Sequence, residues 1–149
     1  RGLSVRQLVT LASLVEKETA SAEERPLVAA VYANRLKAGI GMQCDPTVIY
    51  ALERAGRYTG NLTRADLQFD SPYNTYRYAG LPPGPIAAPG QASLEAAANP
   101  ADVPYLYFVS RNDGTHAFAA TLDEHNRNVF QYQIQYFRDR RRKAQEDRR

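Results

Sequence analysis

The sequence predicts an α+β fold, several helices packed with a small antiparallel β element. Three observations carry this. Capped, helix-periodic segments fill the first 55 residues and recur near the end. A run of β-branched and aromatic residues, Tyr105 to Val109, faces a second run, His116 to Ala119, across an Asp113-Gly114 turn. Between these regions lies a Tyr-, Pro- and Gly-rich stretch that can form no regular helix.

The elements follow in order. Ser4 with Gln7 three residues on reads as a capping box opening a helix from Ser4 to Thr19. Leu8, Leu11 and Val15 form one apolar row, and Glu18 continues it at i+10. Glu16 is turned about 200° away and is expected to face water. Ser21 with Glu24 predicts a second capping box and a helix from Glu23 to Lys37, closed by Gly39. Residues 39–44 read as extended. Asp45-Pro46 predicts an N-cap followed by proline in the first helical position, with a helix to Ala55. Thr63 with Asp66 caps another short helical turn. Residues 71–89 are irregular, and such a length of unstructured chain inside a domain commonly serves function or is disordered. An Ala-rich helix over Gly90 to Ala98 stops at Asn99-Pro100. Thr121 with Glu124 caps the last helix, which runs into Arg138 to Arg149. No repeat or low-complexity stretch interrupts this order. The domain reading is 1–137 for the functional unit and 138–149 for a basic C-terminal tail.

Composition bounds the function. The chain has 149 residues, 44% hydrophobic and 23% charged, enough for one domain with a core of its own. No run approaches the roughly 20 apolar residues of a membrane span. Arg1 in place of Met suggests a piece of a longer protein. The single Cys44 excludes an internal disulfide and a Cys-rich zinc site, and His116 and His125 lack helical metal-ligand spacing, so neither metal nor cofactor is expected. The net charge of +3 comes largely from the tail. A basic helix end complements the helix dipole, and it can also attract an anionic polymer. Basic residues are not interleaved with the aromatic segments, so a nucleic-acid partner is not expected.

Four clusters could carry chemistry: Glu16 to Thr19; Gln43 to Thr47; Tyr73 to Tyr76 with Gly80 to Ile86; and Tyr105 to Phe108 with Gly114 to Phe118 and His125-Asn126. A carboxyl on an apolar face resists ionisation, and a raised-pKa carboxyl can protonate a glycosidic oxygen. Glu18 can equally mark a helix end and pair with an arginine or a helix N-terminus. Asp45 can be an N-cap alone, Tyr73 to Thr75 a self-satisfied turn, His116 a strand residue with its ring nitrogen bonded, and Tyr105 and Tyr107 partners on one strand face. Sugar sites need flat aromatic faces and planar amides, and Gln43, Tyr73, Asn74 and Tyr76 are of that type. The Gly80 to Gly84 segment has prolines where a phosphate nest needs free N–H groups, and no serine nucleophile elbow is present.

Taken in sequence, Leu11 to Thr19, Asn34-Arg35-Leu36, Gln43 with Asp45 to Tyr50, Tyr73 to Tyr76, Gly80 to Gly84 with Ile86, Pro89-Gly90 and Tyr105 to Val109 resemble the catalytic domain of the endolytic murein transglycosylases, the YceG-like family. The resemblance covers roughly Leu8 to Tyr132. It implies a bacterial lyase that cuts the β-1,4 bond between N-acetylmuramic acid and N-acetylglucosamine within peptidoglycan strands, leaving a 1,6-anhydro end. It implies Glu18, the second acid of Glu-Lys-Glu, as the single general acid and base. Gln43, Asp45, Thr47, Tyr73, Asn74, Thr75, Tyr76 and His116 are the candidate substrate-binding residues. Cys44 departs from the expected small residue. The resemblance further implies a missing N-terminal anchor and LysM-like part, an inner-membrane location with the catalytic domain on the periplasmic face, peptidoglycan strands as substrate, and cell-wall synthesis enzymes such as penicillin-binding proteins as candidate partners. The alternative reading is a non-catalytic glycan-binding module.

Overall fold

A computed structural model describes residues 2–148. Helix α1, Val5–Glu18, opens with the reciprocal Ser4–Gln7 box: Gln7 N–H donates to Ser4 Oγ and Ser4 N–H to Gln7 Oε1. Leu11 and Val15 are buried as the apolar row requires. Thr10, Ala12, Ser13 and Leu14 are buried too, so the second half of α1 is enclosed nearly all round. Its polar members are satisfied locally, Thr10 Oγ1 on the Arg6 carbonyl and Ser13 Oγ on that of Thr10.

Helix α2, Arg25–Ala38, ends where Gly39 takes φ 73°, and Ile40 N–H returns to the Arg35 carbonyl. The predicted Ser21–Glu24 capping box does not form. Glu24 N–H reaches only the Ser21 carbonyl, and its carboxylate is drawn instead to His116. Helix α3, Asp45–Arg54, starts one residue earlier than predicted. Cys44, extended at φ −99° and ψ 107°, is the N-cap, and Asp45 is the first helical residue, which frees its carboxylate for another use. Thr63 and Asp66 bond reciprocally as predicted, around a single 3-10 turn, Ala65–Gln68.

The irregular segment 71–89 is an ordered strap on α1. Ile86 N–H donates to Ser13 Oγ, and Arg6 Nε to the Pro83 carbonyl. Helix α4, Gln91–Ala98, begins at Gly90, which has no capping side chain. Glu16 supplies the cap from α1: one oxygen accepts from Gly90 N–H and Ser93 Oγ, both at 2.9 Å. Glu16 makes this cap while its carboxylate stays largely open to water, as expected.

Strands β1, Tyr107–Ser110, and β2, His116–Ala119, pair antiparallel with Phe108 opposite Phe118 and Ser110 opposite His116. Tyr105 falls outside the ladder and stacks on Phe118. Tyr107 stacks instead on His125, so the two tyrosines have separate partners. Thr121 caps α5, Leu122–Val129. A π-helical segment, Phe130–Gln135, carries it into α6, Tyr136–Asp147. The core joins Leu11, Leu14 and Val15 of α1 with Val28 and Tyr32 of α2, roofed by Phe108 and Phe118. Alanines 12, 29, 96 and 97 let α1, α2 and α4 approach closely. The fold is therefore α+β.

Candidate functional site

A cleft of about 250 Å³ opens where the end of α1, the middle of α2, the start of α3 and strand β1 converge. Glu18, Gln43, Asp45 and Tyr76 line it, and so do Tyr32, Arg35, Tyr107 and His125.

Glu18 is the last residue of α1, where the unpaired carbonyls of the helix disfavour a negative charge. It is half-buried, and among the described residues no ion pair engages it. Burial is the main force on its carboxyl, and the Asp45 carboxylate adds to it. His116 and the Tyr32 hydroxyl pull the other way, and the balance raises the carboxyl from 4.5 to about 7. A carboxyl so placed is protonated in a large fraction of molecules at neutral pH and can still release and regain the proton.

The opposite wall is set by a strained turn. Gln43 adopts φ 48°, an uncommon conformation for a residue with a side chain, and presents an exposed amide at the cleft. Three buried bonds hold this turn. Cys44 N–H donates to Thr75 Oγ1, Thr47 Oγ1 donates to the Cys44 carbonyl, and the two threonine hydroxyls meet at 2.9 Å. The same framework sets Tyr76 so that its hydroxyl donates to the Asp45 carboxylate across the mouth. Burial and that carboxylate push the Tyr76 phenol well above its usual range, so it stays a donor.

Thr47, Asn74 and Thr75 are buried and do not face the cleft. Asn74 spends its amide inside the loop: Nδ2 donates to the Leu67 and Phe69 carbonyls, and Oδ1 accepts from Tyr76 N–H. In this structure the three shape the wall from behind. Tyr73 also lies outside the cleft, packed against Tyr50 at 4.9 Å. His116 is behind the site as well. Its Nδ1 lies 2.7 Å from one oxygen of Glu24, and its backbone N–H donates to the other. Glu24 also accepts from Thr19 Oγ1, so the residue following Glu18 is tied to β2 through one carboxylate.

Tyr32 and Arg35 are not among the sequence's candidate site residues, although Arg35 belongs to the Asn34-Arg35-Leu36 motif. Arg35 is buried yet charged. Its Nε donates to the Leu106 carbonyl, its Nη1 to that of Gly41, and its guanidinium lies 5.0 Å from the Tyr107 ring centre. It thus joins α2 to both walls. The signal was available: an arginine at the buried i+4 position after Val31, flanked by Asn34, whose amide donates to the Val103 and Tyr105 carbonyls. His125 stacks on Tyr107 with ring centres 4.9 Å apart, and its buried Nδ1 has no hydrogen-bond partner among the described residues. Burial, then Arg35, lowers its pKa and favours the neutral ring. Among the described residues no group of His, Cys, Asp and Glu is placed to hold a metal ion.

Comparison with known proteins places this geometry in context. Residues 1–131 match the model of the YceG-like family. The chain is 45% identical over 130 residues to the endolytic murein transglycosylase of Bacillus subtilis strain 168, covering 87% of this chain and 35% of that protein. It is 37% identical over 138 residues to the endolytic murein transglycosylase of Streptococcus pneumoniae serotype 2 strain D39, covering 89% of this chain and 24% of that protein. A crystal structure of a YceG-like protein from Listeria monocytogenes superposes with a TM-score of 0.75 at 44% identity, over 84% of this chain and 39% of the other. The chain spans well under half the length of each of these relatives.

Proposed function

We propose, from the premise that this chain belongs to the YceG-like family, that it is the catalytic part of a lytic transglycosylase acting inside peptidoglycan strands. The observation that carries the reading is the state of Glu18: a carboxyl lining a cleft, in no ion pair among the described residues, with its pKa raised to about 7. A hydrolase of the common kind uses two carboxylates that flank the bond and a bound water. One carboxyl suffices if the substrate supplies its own nucleophile.

In this mechanism Glu18 gives its proton to the glycosidic oxygen as the bond to C1 of N-acetylmuramic acid breaks. The leaving N-acetylglucosamine departs with a free 4-hydroxyl. The Glu18 carboxylate then takes the proton of the C6 hydroxyl, and O6 closes on C1 to form the 1,6-anhydro ring. No water is consumed, and Glu18 ends as it began. The internal hydroxyl stands at a high effective concentration because it belongs to the reacting ring. Gln43 offers a planar amide and the Tyr107–His125 stack a flat face at the cleft. These suit an N-acetyl group and a sugar ring. Asp45, held by Tyr76, supports the raised pKa of Glu18 through its negative charge.

We place the substrate chemistry outside the cytoplasmic membrane of a bacterial cell, next to synthesis enzymes such as penicillin-binding proteins, on the family resemblance. Among the described residues no helix is long and apolar enough to cross a membrane. Mass spectrometry of peptidoglycan digested by the protein tests the reaction. Anhydro ends on the released fragments are expected. Reducing ends would mean hydrolysis, and binding without cleavage would mean a glycan-binding module.

A further inference from the structure

The helix formed by α5, the π-helical segment and α6 is held to the fold by one face and carries apolar side chains on another. Helical dihedrals continue through both junctions, so the rod runs roughly 40 Å. Its inner face is anchored to the hairpin: Asn112 Nδ2 donates to the Tyr132 carbonyl, and Arg111 Nε reaches the Tyr132 hydroxyl. Phe130, Ile134 and Phe137 follow at i, i+4 and i+7 on the other side and are 46%, 41% and 38% exposed. A soluble helix places polar residues there. The same row continues with Arg141, one of four arginines and a lysine among residues 138–143, against one acid, Asp139. All are exposed.

We infer that this outer face is a docking surface for a bilayer rich in anionic phospholipid. Aromatic and aliphatic side chains in a row, bordered by arginines, are what an interfacial helix needs to seat its apolar edge below the headgroups while its guanidinium groups meet lipid phosphate. Charge argues against the other occupants. A second copy packed in parallel would set like-charged arginine clusters against each other; an antiparallel pair would appear as a dimer in analytical ultracentrifugation without lipid, and that result would overturn the inference. A polyanion such as nucleic acid would pair with the arginines and gain nothing from burying Ile134. The surface lies on the side of the rod away from the hairpin, so it is independent of the reaction proposed for the cleft.

The chain has no tryptophan, so Phe137→Trp gives a single reporter in an otherwise unaltered protein. Its emission is expected to shift to the blue with vesicles of one part phosphatidylglycerol to two of phosphatidylcholine, and to stay unchanged with phosphatidylcholine alone. Replacing Arg138, Arg140, Arg141 and Arg142 by Gln is expected to weaken vesicle co-sedimentation by roughly 600-fold, at about fivefold per charge. Phe130→Ser with Ile134→Ser is expected to abolish it at moderate salt. No shift with anionic vesicles, an equal shift with neutral ones, full binding by the Phe130–Ile134 double variant, or tighter binding to nucleic acid or isolated cell wall than to vesicles would each overturn the inference.

Discussion

Glu16 and Glu18 stand two residues apart at the end of α1, and the fold drives their carboxyls in opposite directions. The Glu16 carboxylate accepts from Gly90 N–H and Ser93 Oγ, and those two bonds lower its pKa. Burial raises that of Glu18 to about 7. One acid closes a neighbouring helix while the other waits at the cleft. Glu16→Ala should therefore lower unfolding free energy by about 1 kcal/mol, the worth of a helix cap. Because this carboxyl is depressed in the folded state, the loss should be full above the unfolded value of 4.5 and vanish as pH falls through the folded one. Urea titrations at several pH values measure this.

Glu18→Gln should remove turnover on peptidoglycan and leave the fold intact. The linkage has the opposite sign here. A carboxyl raised in the folded state favours folding while protonated, so the wild type loses stability as pH climbs from 4.5 to about 7 and then levels off. Glu18→Gln lacks that loss and should be the more stable protein at pH 8, by about 2 kcal/mol after allowance for partial solvent contact. Retained activity in this variant would refute its role.

The rate of strand cleavage should fall as pH rises through about 7, since the reaction starts from protonated Glu18. Asp45→Asn removes a charge that raises this pKa, so the alkaline limb should move to lower pH. Tyr32→Phe removes a hydroxyl that lowers it, so the limb should move up. A limb that ignores both changes would belong to another group.

Asn74→Ala is expected to cost stability and not substrate affinity. The side chain is fully buried, and its loss leaves two carbonyls and one N–H without partners. Roughly 3 kcal/mol is expected for that set. Thermal melting should register the change, while KM of the remaining folded protein stays near wild type.

Asn74 also marks the limit of what the sequence discloses. Helix α1 and its box, the Gly39 stop, the hairpin and the last helix's cap are all local, and local chemistry writes them into the sequence. Glu18 could be found because it breaks an apolar row. The direction of an amide in an irregular loop has no such periodicity. Whether Asn74 meets a sugar or its own backbone depends on how residues 67–76 close upon themselves. Long-range pairs are hidden for the same reason. Glu24 satisfied every local rule for a capping box, yet His116, 92 positions away, takes its carboxylate. Two bonds to a buried partner outweigh one at a solvated helix start.

His125 offers the sharpest division between binding and architecture. Its ring is stacked on Tyr107, and its buried Nδ1 is unpaired beside the cleft. A buried polar atom without a partner is costly, so a site that tolerates it is suited to a ligand group that supplies the bond. His125→Phe keeps the flat ring and removes the nitrogen. If Nδ1 meets a sugar hydroxyl, KM should rise about tenfold, the worth of one hydrogen bond to a neutral group, with kcat little changed. The melting temperature should hold or increase, because the unpaired atom is gone. His125→Ala should weaken binding further and also destabilise the protein, since Tyr107 then loses its stacking partner. A His125→Phe protein that bound glycan as well as wild type would reduce this ring to a packing element of the wall.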